Sequence, residues 1–553
     1  MPSRRSTVLC TTASAAALAL TAACTAGTDT GAGPAGATAD GTLTVGLIDA
    51  GTTFVRNYNT VSPSPRKAPG NNWVYEPLAR VDYADGAKVK PWLAKSLEFD
   101  DAGTTLTVKI RDDVKFSDGK PMTADDVHFS LELPLKNKDF NAGGITYTGV
   151  KKVDDTTVEL TYPKPAFSEL NQLAGIKSPI VPKHIWAKQN LRTWTNPKPV
   201  GTGPVTVDKF APQQITFAAR KDYWGGALPM KHLKVIPSNP DAVKAQLLRG
   251  DIDYASASWA AAKKEYVAKD PKHHHYELYA AGGASSLFYN TAKAPFDNVH
   301  LRRALAMTIP RTDVVATLER PGTEAGPSGL VDEIYGDQLL PKYKGKVQKV
   351  DGAGAKAELK KSGYTVEGGK LVKDGTSYAP KLLFNQDIAW DPYANMLVKS
   401  WEKQLGIKVK PAGAPGANHW EQMQKGAFDL AVNDTFGAGP AGVYSALSSR
   451  AYRPLKEMAA TNFGRWKDAK TDRFIGDLIG SKDPAKVKAA TEGMQRIVAE
   501  QVPYSPIYNL YNFVLVNSKR WTGWPTAESY DVVPAIAQPT EFILTLKKLK
   551  PAK

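Results

Sequence analysis

Residues 75–133 read YEPLARVDYADGAKVKPWLAKSLEFDDAGTTLTVKIRDDVKFSDGKPMTADDVHFSLEL, and the fold is decided in this stretch. Leu106, Val108 and Ile110 alternate with Thr105, Thr107 and Lys109. A period of two sends the apolar side chains to one face, which predicts a half-buried strand. Lys95 to Phe99 precedes it across the turn Asp100-Asp101-Ala102-Gly103, so the pair reads as a β-hairpin. A second turn, Ser117-Asp118-Gly119-Lys120-Pro121, leads to Thr123. Thr123 with Asp126 three residues on is a capping-box-like helix start. Val127 with Leu131, and Phe129 with Leu133, give that helix its apolar stripes.

The order of words is more specific than the periodicity. Tyr75-Glu76-Pro77-Leu78, Pro91-Trp92-Leu93-Ala94, Phe116-Ser117-Asp118-Gly119 and Thr123-Ala124-Asp125-Asp126-Val127 together resemble the signature of the family 5 solute-binding proteins. These are the oligopeptide- and dipeptide-binding receptors of ABC importers. The resemblance continues through Val200-Gly201-Thr202-Gly203-Pro204, expected as a return strand, and Tyr223-Trp224-Gly225-Gly226. Ala245 to Asp253 follows as helix, glycine stop and strand, then Phe288-Tyr289-Asn290 and Val299 to Arg311. In the last block Pro310 stands where the family has Asp, which shortens the helix. The likeness spans roughly Thr42 to Lys548.

The resemblance implies an α/β, two-lobed periplasmic-binding-protein-like fold of type II, cluster C, with an extra subdomain in the first lobe. Lobe one would span 42–280, with the signature subdomain at about 61–194. Lobe two would span 281–509, and 510–553 would return to lobe one. The chain would cross between lobes near Tyr279 to Gly283 and near Tyr508 to Asn512, where Gly282-Gly283 suits a change of backbone angle.

Ahead of the fold, Arg4-Arg5 and the Ala-rich run Ser6 to Ala22 read as a signal peptide, residues 1–23. Leu20-Thr21-Ala22-Ala23-Cys24 places small residues before a cysteine, as a lipoprotein signal peptidase requires, so Cys24 is the expected lipidation site. Ser3-Arg4-Arg5 leaves the general and the twin-arginine export routes both open. Residues 24–41 are mostly Gly, Ala and Thr, a tether that cannot bury a core. The expected location is the extracellular face of the cell membrane. After processing Cys24 would be the only cysteine, which excludes structural disulfides and thiolate metal sites.

The formal net charge is +16. Nucleic-acid binding wants clustered Lys and Arg with interleaved aromatics. Here the basic residues are spread along the chain, so the charge suits an exported protein beside an anionic surface, and no nucleic-acid partner is expected. The expected partners are a small-molecule ligand and the permease and ATPase subunits of an importer, with the protein itself a monomer.

Three patterns raise other chemistry. Gly437-Ala438-Gly439-Pro440-Ala441-Gly442 has the spacing of a dinucleotide fingerprint, yet the same spacing occurs at Gly31 to Gly36 in the tether. A cleft-lining loop is expected instead, and no cofactor. His273-His274-His275 lacks companion ligands and reads as a solvated loop before a strand, so no metal is expected. Ser-x-x-Lys at Ser64, Ser117 and Ser400 has no companion Ser-Asp-Asn or Lys-Thr-Gly, and Gly283 to Leu287 lacks the second glycine of a nucleophile elbow. An exported hydrolase is therefore the distant alternative to a non-enzymatic receptor.

Twelve Trp and twenty-two Tyr are the better lead. Trp73, Trp259, Trp390, Trp420 and Phe436 fall in loops or strand ends where the family builds its cleft. The resemblance adds Asn59, Asn290, Asn433 and Tyr508 as ligand-binding candidates. Peptide receptors of the family carry an acidic clamp after a Trp for the ligand ammonium; here Asp434 comes early and no Trp precedes it. Either Asp434 has taken that role or the ligand has no amine. An oligopeptide is the lead ligand, and a cello- or xylo-oligosaccharide the alternative.

Overall fold

A computed structural model describes residues 41–48, 53–64, 66–141, 144–175, 178–259, 261–317, 323–388, 390–435 and 437–553. The expected signal peptide, nearly all of the tether, Cys24 and Phe436 lie outside the described residues.

The hairpin and its helix form as read. Ala94–Phe99 pairs antiparallel with Thr105–Ile110, and Leu106, Val108 and Ile110 are buried. Thr157–Thr161 and Gly149–Lys152 extend the sheet to four strands. Helix Ala124–Lys136 starts with a reciprocal capping box between Thr123 and Asp126. Val127 and Leu131 bury against the four-stranded sheet's core, while Phe129 and Leu133 pack on a different core. One helix thus binds the subdomain to the rest of its lobe.

Distant words of the signature converge on Glu76, which is fully buried. Its carboxylate accepts from Trp92 Nε1 at 2.9 Å, Tyr223 OH at 2.6 Å and Trp224 Nε1 at 3.0 Å. Burial pushes its pKa up, and the donors act against that shift. Beside this knot the expected strand at Val200 to Pro204 is a tight passage, and regular pairing begins only at Val205. A Cβ on Gly201 would stand 2.0 Å from the Val74 carbonyl oxygen, and one on Gly203 1.9 Å from that of Trp73. The chain passes other backbone too closely there to hold a side chain.

The main sheet has ten strands: β1 (Thr42–Leu47), β2 (Val205–Ala211), β3 (Gln214–Ala219), β4 (His232–Pro237), β5 (Tyr254–Ala255), β6 (His274–Tyr289), β7 (Lys381–Asn385), β8 (Lys410–Ala414), β9 (Leu430–Thr435) and β10 (Tyr504–Asn517). Their order across the sheet is β8-β7-β9-β6-β10-β5-β1-β4-β3-β2. β6 and β10 are the two long strands, paired antiparallel from His274↔Asn517 to Phe288↔Tyr504. β5 pairs with the far end of β10, and β9 pairs with β6 only from Ala284 onward. Between those halves the ladder breaks: Ala281, Gly282 and Gly283 stand opposite Leu510 alone. Gly282 has φ 72°, the left-handed region that glycine adopts without strain.

The cores divide at this break. Leu43, Val45, Phe217, Val235, Val514, Trp521 and Phe542 share one core; Leu287, Leu382, Trp401, Val432 and Ile507 share another. The result is two lobes joined by β6 and β10. The histidine run is not the solvated loop expected of it: it starts β6, at the lobe-one end of that strand. His274 and His275 belong to β6, and His274 is buried by stacking on Tyr266 with ring centroids 4.2 Å apart. Among the described residues no cluster of three His, Cys, Asp or Glu could hold a metal ion, and no helix is long and apolar enough to cross a membrane.

Candidate functional site

A cavity of about 360 Å³ lies between the lobes. Lobe two supplies Gly437, Ala438, Gly442, Ser445 and Thr461. Across from them stand Val81, Asn171, Ala174 and Gly175, with Ala537 to Thr540 closing a third side.

The lobe-two wall follows from the end of β9. A Cβ on Gly437 would lie 2.2 Å from Val443 N, so only glycine lets helix Gly439–Tyr444 fold back so tightly on its own loop. The Tyr335 hydroxyl donates to Gly437 O at 3.1 Å and accepts from Gly439 N–H at 3.2 Å, which fixes the turn from both sides. The glycine run that resembles a fingerprint is thus held by its own helix and lines the cleft, as expected for it.

On the lobe-one side, Gln538, Pro539 and Thr540 begin helix Pro539–Lys548, and no side chain caps its first turn. A helix start carries a partial positive charge and unpaired N–H groups, which suits acceptor oxygens. Glu541 in the same turn is buried; it accepts from Val533 N–H at 3.0 Å and from Arg80 at 2.6 Å. Burial raises its pKa despite the Arg80 guanidinium. Asn171 Oδ1 is shielded from solvent and accepts no hydrogen bond among the described residues.

The lobes also touch at the rim. Ser168 donates from N–H to Ile479 O at 3.2 Å and from its hydroxyl to Leu478 O at 2.7 Å. Lys482 meets Asp101 at 2.6 Å. These contacts bridge the two lobes.

None of the described candidate residues lines this cavity. Asn59 is fully buried; its amide donates to Leu191 O and Trp194 O and its oxygen accepts from Val61 N–H. Asn290 likewise donates to Gly426 O and Phe428 O. Trp73 stacks on Phe542 in the lobe-one core, and Trp259 stacks on Tyr266 while its indole donates to Glu265. Large rings bury the most area in a core, and there these two are placed. Trp390 and Tyr508 come together on Tyr393, at 6.3 and 5.7 Å between centroids, and the Asp434 charge also bears on Tyr393. Asn433 and Asp434 sit half-buried on β9 opposite Ser286 and Ser285. Trp420 is 46% exposed and packs edge-on to Phe463. Sequence reasoning missed Asn171, Ala174, Gln538 and Thr540. Small and amide residues at helix ends and in a short 3-10 turn carry no periodicity to mark them.

The profile of the bacterial extracellular solute-binding proteins, family 5, matches residues 88–452. The chain belongs to that family. It is similar to a nickel-binding periplasmic protein of Escherichia coli (strain K12), 26% identical over 459 residues, covering 80% of this chain and 85% of that relative. Oligopeptide-binding protein AppA of Bacillus subtilis (strain 168) is 26% identical over 517 residues, covering 89% and 91%. Among solved structures, a periplasmic oligopeptide-binding protein of an ABC transporter from Thermotoga maritima superposes with a TM-score of 0.82 at 22% identity, covering 93% of this chain and 100% of that one. This family 5 member is therefore a two-lobed solute-binding receptor of the ABC-importer type, and the cavity between its lobes is its candidate solute site.

Proposed function

We propose that this family 5 receptor captures short oligopeptides between its lobes and delivers them unchanged to a membrane permease driven by an ATPase. The observation that carries the reading is the cavity between the lobes, about 360 Å³ and lined by glycine, small apolar residues and small polar side chains. That volume falls in the lower part of the range of about 300–1,000 Å³ typical of ligand pockets. Peptide main chain offers N–H donors to Asn171 Oδ1 and carbonyl or carboxylate oxygens to the start of helix Pro539–Lys548. Relatives named for oligopeptides favour the same ligand class.

In this reading the β6–β10 junction is the hinge. Gly437, Ala438, Gly442, Ser445 and residues 537–540 touch the ligand. Trp390, Asp434 and Tyr508 cluster about Tyr393 behind the strand that leads to this wall, and Trp420 packs on Phe463. Cys24 carries the lipid that holds a monomer at the outer face of the membrane. Closure over the guest is what the permease reads.

Mass spectrometry of whatever co-purifies, followed by thermal shift with synthetic peptides and cello-oligosaccharides, tests the reading. A tight binder at 100 times its Kd adds about 2.7 kcal/mol of stability. Co-purified peptides and a saturable peptide-dependent shift are expected. A shift with sugars and none with peptides overturns the ligand assignment, and turnover of a bound ligand overturns the non-enzymatic reading.

A further inference from the structure

A second cavity, about 330 Å³, lies wholly within lobe two and shares no lining residue with the cleft. It is bounded by helices Val299–Met307 and Gly352–Ser362, the end of helix Pro484–Gln501 and the first residues of β10. Its volume corresponds to about ten water molecules.

Its charge is unbalanced. Arg311, 3% exposed, lines the cavity. The guanidinium donates to Pro506 O at 2.9 Å and to Ala306 O and Gln348 O at 3.4 Å. Carbonyl dipoles orient this cation but do not neutralise it, and it forms no ion pair among the described residues. Burial pulls its pKa down to about 10, a measure of how poorly the charge is solvated there. Arg303 and Lys361 add two more cations to the lining, against Glu358 as its one carboxylate among the described residues. Glu358 is shared among three basic side chains, at 2.8 Å from His300, 2.7 Å from Lys361 and 3.8 Å from Arg303, and so offsets one charge while Arg311 is left without a counter-ion among the described residues. The remaining walls are mostly apolar, chiefly Met307, Val498 and Val502, with Gln348, Tyr504 and Ser505 among them.

A pocket with one buried, unpaired cation, surplus positive charge at its mouth and mostly apolar walls elsewhere matches a guest with one anionic end and one apolar end. We infer that lobe two holds a second binding site, separate from the cleft, for a small carboxylate with an apolar tail. The carboxylate would face Arg311 and the mouth cations, and the tail would cover Met307, Val498 and Val502.

Sodium octanoate is the probe, added to the full chain in calorimetric and thermal-shift titrations, with octanol and octylamine as controls. Saturable octanoate binding is expected, with neither control matching it. Arg311 also clamps β10, so the variants are placed at the mouth instead. Ala357 is exposed on helix Gly352–Ser362 and lines the cavity. Ala357→Trp should fill the mouth and abolish octanoate binding while the ligand-free unfolding midpoint stays unchanged. Lys361→Glu should weaken binding several-fold. Absence of saturable octanoate binding overturns the site. Equal binding of octanol overturns the role of the cations, and binding retained in Ala357→Trp overturns the location.

Discussion

Glu76→Ala should loosen the junction between the signature subdomain and lobe one. Its carboxylate is fully buried and accepts three hydrogen bonds, from Trp92, Tyr223 and Trp224. A buried donor left without an acceptor costs about 1–3 kcal/mol. Tyr223 is 4% exposed and bears the full penalty; the two indoles are half-buried and reach water in part. Relief from burying an ionised group offsets some of the loss. The expected net destabilisation is about 3 kcal/mol. Glu76→Gln, which keeps one oxygen but turns an N–H toward a donor, should lose about half of that. Urea unfolding followed by tryptophan emission reads the effect where it occurs, since Trp92 and Trp224 are themselves partners. A double-mutant cycle with Tyr223→Phe isolates the coupling. If Tyr223→Phe costs as much in the Glu76→Ala background as in the parent, the hydrogen bond carries no coupling and the reasoning fails.

Thr123→Ala, which removes half of a capping box, should cost about 1 kcal/mol in the same unfolding experiment. Ser168→Ala deletes the rim bond to Leu478 O, worth about 0.5–1.5 kcal/mol to the closed form. Calorimetry with the co-purified ligand should show Kd raised by about two- to twelvefold, and an unchanged Kd would make the contact incidental. Gly437→Ala forces a Cβ to within 2.2 Å of Val443 N; ligand-dependent thermal shift should vanish while lobe-one unfolding is unaltered. Burial pushes Asp253 up to about 6 against the opposing pull of Arg520 and the Thr44 N–H. The native state then holds this proton at pH values where the unfolded chain has lost it. Stability should therefore fall, by about 3 kcal/mol at most, as pH rises from about 4 to about 6. Asp253→Asn should flatten that slope in urea titrations across the range.

Local features were the legible ones. The alternation at 105–110 and the Thr123–Asp126 cap depend only on neighbours within a few residues, and both appear as read. The Glu76 knot was visible as words but not as a contact, because two of its donors stand 147 and 148 residues away. The candidate site divides the same way. Gly437 to Gly442 could be assigned to the cleft because a spacing repeated in a coreless tether carries no nucleotide signal. Asn171 and Thr540 belong to walls brought together only by lobe packing. Trp73 and Trp259 belong to cores, and ring size alone does not separate a cleft from a core; their neighbours Phe542 and Tyr266 do.

The placement of Trp521, Phe542, Ile543 and Leu546 beside Leu43 and Val45 has a consequence for biosynthesis. The residues that emerge first from the ribosome cannot finish packing until almost the last ones arrive. The second lobe, whose core runs from Leu287 to Tyr508, is complete well before then. A nascent or truncated chain ending short of Phe542 would present one finished half and one half with its apolar strands uncovered, the form that proteases and chaperones recognise.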